Sequence, residues 1–476
     1  MQTARRPFSV TRRRRSGSPL FAQLLTAAVE SAAAEVAIRF NPTGRPGDQR
    51  EMTYRELDEA SSQLARELIE RGIGPGDVVA IGLARSPESV LAVWAIAKTG
   101  AAHLPVDPAL PGDRIDRIAT GSGAALGLTT SRHRSALGRS LYWMELDDPV
   151  QSDRIARRPR HPISYADRVR MLDERHPAYI AYTSCPAGDP VAVVVPHSGL
   201  APVVAAATDL YGITSDSRVT HMCSPNTDVS VLELLLTFTN GATLVIVPAG
   251  VLGGRDITEL LARERVTHMI TTPAALEAVD PAGLTELQSV AAIAEEFDPE
   301  LVRRWAHGRG VFISYGSTET TVLATGNGTM NPGETLTVGT ALHGFGAFVL
   351  DTRLRPVPPG TAGELYLSGP ALAHGYLDRP GLTAQCFVAS PFGADPAGPD
   401  ARMYRTGALV RRIRTSRGEE IEYLGRADSP VPSPGIEAGE SDSSRHPLPA
   451  PRRPLPAGRR PVAPGRPAPV APASDT

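Results

Sequence analysis

The sequence predicts an α/β fold built mainly on parallel sheets, and three observations lead there. From about residue 50, amphipathic segments alternate with short, continuously apolar runs rich in β-branched residues. After about residue 340, short strands appear between Gly- and Pro-rich turns. From Asp428 onward the large apolar residues all but stop. Continuously apolar strands alternating with amphipathic helices mean parallel sheets covered on both faces. The second texture means a smaller β-rich unit packed on that body. The third cannot bury a core.

Taken in order, the chain begins with "MQTARRPFSVTRRRRSGSPLF". Its "RRPF" is like the start of a twin-arginine export signal. The stretch that follows, "LFAQLLTAAVESAAAEVAI", is broken by Gln23, Glu30 and Glu35 and has no convincing cleavage site. It reads as an amphipathic helix, so residues 1–19 are expected to form a disordered basic arm. "TYRELDEASSQLARELIERGIGPG" has helical spacing and a glycine stop, and "DVVAIGLA" follows as a strand. "SPESVLAVWAIAKTG" is a serine-capped helix leading into "AAHLPVDP". "DITELLARERV" precedes "THMITTP", and "DPELVRRWAHGRG" precedes "VFISYG", each a helix then a strand. "GFGAFVLD", "GELYLSG" and "EEIEYLG" supply the later strands. Residues 20–427 therefore make the folded body, and 428–476 a disordered Pro/Arg/Ala-rich tail with polyproline II character. Composition alone allows that tail a role as a ligand for proline-binding domains; a solvated extension is the plainer reading.

Bulk properties exclude several classes. A length of 476 residues and 41% hydrophobic content suit a globular protein with a large core and more than one lobe. A net charge of −2 gives no global attraction to nucleic acid or membrane. No apolar run reaches transmembrane length. Three scattered cysteines fit neither a disulfide framework nor a metal-ligand spacing and point to a reducing, cytoplasmic setting. Lys98 is the only lysine in the chain.

"YTSCPAGDPVAVVVPH" (182–197) has an apolar run before it, a β-branched run after it and a turn-rich centre, the setting of a phosphate loop. In isolation it reads equally well as a strand–turn–strand hairpin. Its company decides the reading. "MTYRELDEASSQLARELIERGIGPGDVVAI", "AIAKTGAAHLPVDPALPGDRI", "NTDVSVLELLLTFTNGATLVIVP", "SYGSTETTVLAT", "GELYLSGPALAHGYLDRPGLTA", "MYRTGAL" and "YLGRAD" occur in one order along the chain. Together they resemble the adenylate-forming enzymes, most closely the amino-acid adenylation domains of nonribosomal peptide synthetases. That resemblance implies a large N-terminal lobe of two α/β subdomains and a β-rich subdomain, with a small mobile C-terminal lobe. It implies activation of a carboxylic acid by ATP and Mg²⁺ to an acyl-adenylate, a ligase-type reaction, followed by transfer to a carrier thiol.

The resemblance also assigns roles residue by residue. Thr183, Ser184 and Gly188 belong to the phosphate loop, while Tyr315 and Gly316 stand at the adenine. Thr318 lies at the α-phosphate, Glu319 at Mg²⁺ and Arg426 at the ribose. Asp228 in "TDVSVLE" pairs with the substrate's α-ammonium; on residues alone it is also read as a helix N-cap. Val229, Leu232, Thr271, Ala291, Ile293, Ser314, Val322 and Leu323 line a mostly apolar side-chain pocket.

The departures are as informative. Cys185, Pro186, Ala187, Val191 and Ala192 replace a glycine, two hydroxyl residues, the lysine and the last glycine of the family's loop. Losing two or three donors at ~1.5–3 kcal/mol each weakens nucleotide binding by several kcal/mol, roughly a thousandfold or more. Ala408 stands where the family has a ribose-binding aspartate, and Ala294 crowds the adenine side. The family's catalytic lysine lies in the C-terminal lobe. Here the sequence after Asp428 tracks that lobe loosely, with Pro432 at an inter-lobe lysine, and then becomes the tail. The expectation is a truncated adenylation domain of secondary metabolism, impaired or inactive, a pseudoenzyme with weakened ATP and Mg²⁺ binding. Its expected partners are an α-amino acid and a carrier protein or other synthetase modules in trans. A non-catalytic amino-acid or nucleotide module, or one that docks on a synthetase, is the alternative. An acyl-CoA ligase relative is a further one, disfavoured by Asp228.

Overall fold

The computed structural model describes residues 18–43, 47–185, 188–251, 253–293, 296–392 and 402–427, without the side chains of residues 184, 185, 188 and 189. All belong to the compact unit Met1–Pro430; the second unit, Val431–Thr476, lies outside the described residues, as do most of the basic arm and the tail.

Three sheets form the body. In the first, strands Val36–Phe40, Thr243–Ile246, Arg218–His221, His268–Thr271, Ser289–Ile293 and Gly310–Tyr315 run parallel in that spatial order. Antiparallel strands close both of its edges. In the second, Pro177–Cys185, Ala102–Pro105, Val78–Ile81, Ala124–Thr129 and Trp143–Glu145 are parallel. Gly188–Pro196 folds back antiparallel on Pro177–Cys185. The third, Gly346–Leu350, Gly363–Ser368, Phe387–Ala389, Arg402–Thr415 and Gly418–Arg426, is entirely antiparallel. This is the predicted division: two parallel-rich sheets, then a β-rich unit.

Helix signals in the sequence act where they stand. Thr53 caps the Tyr54–Glu70 helix through a reciprocal box with Glu56. Ser86 caps Pro87–Thr99, proline fills its first turn, and Gly100 ends it at φ 88°. The amphipathic helix expected from residue 20 is shorter than its pattern. It covers Phe21–Leu25, and Val36–Phe40 leaves the helix to pair parallel with Thr243–Ile246. Thr26 Oγ1 donates to the Ala22 carbonyl at 2.9 Å, competing with helical propagation, and the β-branched Val36 and Ile38 favour the sheet.

The largest core cluster runs between the first two sheets. Phe238 meets Trp94 and Tyr54 edge-to-face, with ring centroids 5.1 and 6.0 Å apart. Lys98, 4% exposed, spans two helices. Its Nζ donates to the Asp58 carboxylate and carbonyl, both at 2.7 Å, and to Ser61 and Ser62 at 2.8 and 2.9 Å. Burial draws its pKa down to about 8 against the pull of Asp58. Among the described residues, no helix is long and apolar enough to cross a membrane.

Candidate functional site

The helix Asp228–Thr239 brings its first residue to the middle of the molecule. Its N-cap is Thr227, which makes no side-chain cap bond, and Asp228 is the first helical residue. The N-cap role is thus not filled by Asp228. The Asp228 side chain is 9% exposed, and its Oδ2 has no hydrogen-bond partner among the described residues. Burial pushes its carboxyl up to about 6; the Thr318 hydroxyl opposes that shift, and the neighbouring Glu319 charge adds to it. Glu233, further along the helix, fixes this placement. Its carboxylate accepts from the Met222 and Cys223 amides at 3.0 and 3.2 Å and meets His221 Nδ1 at 2.8 Å, tying the helix to the end of the Arg218–His221 strand.

Thr318 and Glu319 sit on a short 3₁₀ turn, Thr318–Thr320, after the Gly310–Tyr315 strand. The chain then reverses through Thr321 and Val322 at φ 55° and 74°, a region β-branched residues seldom occupy. Two features hold it there. Thr321 Oγ1 donates to the Ala371 carbonyl at 2.6 Å, and Gly316 admits the returning chain, since a Cβ there would lie 2.1 Å from the Val322 oxygen. The reversal sets Thr318 and Glu319 beside Asp228 and sends Val322 and Leu323 into the largest core cluster. Glu319, 5% exposed, accepts from the Tyr376 hydroxyl at 2.8 Å.

Leu232, Ala291, Val322 and Leu323 belong to that one cluster, with Val229 and Ile293 packed against it. Ser314 shares their sheet face and bonds the Tyr211 hydroxyl at 2.9 Å. Thr271 stands apart. Alternation gives Ile270 the face shared with Ala291 and Phe312, and Thr271 follows Met269 to the other side. Among the described residues its Oγ1 is buried without a partner.

Tyr315, 3% exposed, packs in another cluster with Val338, Val349, Leu365 and Ala408. Ala408 faces Arg426 across the Arg402–Thr415 and Gly418–Arg426 pair, and the guanidinium lies over Gly407, where a Cβ would come 2.8 Å from Nη2. The adenine and ribose candidates therefore adjoin one cluster. Beside them opens a cavity of about 520 Å³ lined by Phe297, Ile313, Val338, Glu422 and Tyr423 among others. It adjoins the Tyr315 cluster through Val338 and Tyr423. The segment 182–197 is a hairpin with Cys185 opposite Gly188, and Thr183 is half-buried opposite Val191. Pro186, Ala187 and Ala294 lie outside the described residues, as does the side chain of Ser184.

The residues present fit a cation shared with a phosphate. Among the described residues, no group of three or more His, Cys, Asp or Glu side chains could hold a metal alone. Glu319 offers a single buried carboxylate, which suits Mg²⁺ completed by phosphate oxygens and water. Asp228 fits a cationic organic group, because its unpaired oxygen is shut away from water.

Sequence reasoning missed Tyr376, Thr321 and Glu233, and the cavity residues Phe297, Ile313 and Tyr423. Tyr376 stood inside a quoted motif, but its partner is 57 residues away and no spacing rule links them.

Residues 25–377 match the AMP-binding enzyme family. The chain is 40% identical over 405 residues to phosphinothricin tripeptide synthetase PhsC of Streptomyces viridochromogenes, covering 83% of this chain and 36% of that protein. It is 38% identical over 405 residues to novobiocin biosynthesis protein H of Streptomyces niveus, covering 83% and 66%. The chain thus spans less than two thirds of either relative. Among solved structures, the nonribosomal peptide synthetase FmoA3 in its α-methyl-L-serine-AMP bound form superposes with a TM-score of 0.74 at 27% identity, over 86% of this chain and 45% of that one.

Proposed function

The chain belongs to the AMP-binding enzyme family as an adenylation domain of the nonribosomal peptide synthetase type, and from that premise we propose that it binds an α-amino acid and a nucleotide at the site around Asp228 and Glu319 while its adenylation chemistry is impaired. The observation that carries this reading is the Asp228 carboxylate, buried, with one oxygen unpaired and a raised pKa. A carboxylate so placed gains most from a cationic partner, and the α-ammonium of an amino acid is one. The apolar residues behind it, Leu232, Ala291, Val322 and Leu323, favour an uncharged, mostly apolar side chain.

Tyr315 and Arg426 are assigned to the nucleoside and Thr318 to the α-phosphate. FmoA3 has been solved with AMPPNP and with α-methyl-L-serine-AMP, which supports the assignment by kinship. Glu319 would hold Mg²⁺ with phosphate oxygens, and the bound ion supplies positive charge against the triphosphate. The impairment rests on this chain's own residues. Pro186 lacks an N–H, Val191 replaces a lysine, and Ala408 accepts no bond from a ribose hydroxyl. Lys98 is already committed to Asp58, Ser61 and Ser62. Lys98, the one lysine of these 476 residues, therefore supplies no cation at the reacting carboxylate. Transfer to a carrier protein in trans belongs to the same proposal.

A second reading, binding without turnover, is favoured by the same contrast between an intact Asp228 pocket and an altered phosphate hairpin. Calorimetric titration of an amino-acid panel tests both. We expect an apolar α-amino acid to bind and Asp228→Asn to abolish binding. Equal binding of the matching carboxylic acid without its amino group would refute the ammonium assignment.

A further inference from the structure

We propose that Tyr376 is a positioning residue for Glu319, holding that carboxylate ready for a cation through the hydrogen bond its hydroxyl donates. The inference rests on the reading of Glu319 as the Mg²⁺ carboxylate.

The geometry is specific. Tyr376 Oη donates to Glu319 Oε1 at 2.8 Å, with both side chains at least nine-tenths buried. The Ala373 amide donates to the Glu319 carbonyl at 2.8 Å, so side chain and backbone are gripped by one segment. That segment is itself fixed. Tyr376 pairs with Val193 on the hairpin strand, and its amide donates to Thr383 Oγ1 at 3.0 Å. Gly375, at φ 137°, has no room for a side chain, because a Cβ there would meet Thr383 Cγ2 at 2.3 Å. Phe387 closes the other side, with ring centroids 5.8 Å from Tyr376 and 5.2 Å from Tyr404. Burial pushes the Tyr376 and Tyr404 phenols far from ionisation, so Tyr376 keeps the proton it donates.

A buried carboxylate without a donor is free to turn within its site. Tyr376 fixes it: the hydroxyl engages Oε1, so Oε2 is the oxygen offered to a cation. Tyr376 pairs with Val193 in the 182–197 hairpin, so one side chain joins the proposed metal position to that hairpin.

The test is calorimetric binding of AMPPNP to the full chain with and without Mg²⁺, repeated with Mn²⁺ to record the electron paramagnetic resonance spectrum of the bound ion. Tyr376→Phe should reduce the metal-dependent gain in affinity about tenfold, as for loss of a bond to a charged group. It should leave metal-free affinity unchanged and alter the Mn²⁺ line shape. Thr383→Val, which removes the acceptor of the Tyr376 amide, should reduce the gain by about twofold. Glu319→Gln should remove it. A full gain in Tyr376→Phe, with the gain lost in Glu319→Gln, overturns the positioning role and leaves the Glu319 reading intact. A full gain in Glu319→Gln overturns that reading and the inference together, as does absence of AMPPNP binding by the parent chain. Should Tyr376→Phe fail to fold, an undiminished gain in Thr383→Val overturns the proposal.

Discussion

At Asp228 the pKa of about 6 carries a consequence for stability as well as for binding. An aspartate in an unfolded chain ionises near 3.9, so between about pH 4 and 6 the folded state holds a proton that the unfolded state has released. Stability attributable to this group therefore falls as pH rises through that window, and the full cost is present above it. Asp228→Asn should stabilise the ligand-free protein by roughly 1–3 kcal/mol at pH 8, with the difference fading toward pH 4. Melting curves across pH check this; a variant less stable at pH 8 would contradict it. On the proposed pairing of Asp228 with the ammonium, amino-acid affinity should run the other way, weakening below about pH 6 as the carboxylate is protonated. Ala408 is the other decisive single position. It is fully buried opposite Arg426, so Ala408→Asp should cost about 1–3 kcal/mol of stability in the free protein. The same change should raise AMPPNP affinity about tenfold by restoring bonds to the ribose hydroxyls. Titration of both proteins reads the two effects separately.

At the level of elements, most of the fold was legible because its signals are local. Ser86, Pro87 and Gly100 mark both ends of one helix within a single stretch, and each acts as its residue type dictates. The "VFISYG" and "THMITTP" strands likewise carry their β-branched runs in plain view. The first helix was misjudged because helical spacing in "AAAEVAI" competes with a parallel partner two hundred residues away, and the sheet wins. The left-handed turn at Thr321 and Val322 left no trace in composition; its cause is a bond to Ala371, 50 residues on. Thr271, assigned to the pocket by resemblance, is separated from Ala291 by strand alternation, which depends on where the strand ends. Lys98 gives an element-scale prediction. It joins the Tyr54–Glu70 and Pro87–Thr99 helices, so Lys98→Met strands the Asp58 carboxylate and should destabilise the protein by about 3–5 kcal/mol. Amino-acid binding at 10 °C should persist, because the pair lies apart from the site; loss of binding with an unchanged melting temperature would contradict a structural role.

Across the whole molecule, the chain joins two parallel-rich sheets to an antiparallel one, and the candidate site draws on all three. Buried histidines tie the N-terminal helix to this assembly. His103 stacks between Phe21 and Tyr179, and His197 Nδ1 accepts the Phe21 amide at 3.1 Å. Burial draws their pKa values down to about 3 and about 4. Unfolded histidine protonates near 6.5, so their stabilising contribution is complete above that pH and is lost as the pH falls toward 4. That loss opposes the smaller gain from Asp228 over part of the same range, and the melting temperature should fall on acidification. His197→Asn, which keeps an acceptor for Phe21, should make the fall shallower; an unchanged slope would contradict this account. The central claim concerns the chemistry that the assembled site performs. The proposal of impairment rests on three features: the altered residues of the proposed phosphate loop, Ala408 at the proposed ribose position, and Lys98, held by Asp58, as the one lysine of these 476 residues. Removing a single transition-state donor commonly costs ~10²–10³ in rate, so their combination should be close to complete. Amino-acid-dependent exchange of pyrophosphate into ATP by the 476-residue chain tests this most directly. The account predicts exchange at the level of a boiled control for every amino acid, including any that binds by calorimetry. Exchange clearly above that control, for even one amino acid, would contradict it and require an arginine to supply the missing positive charge.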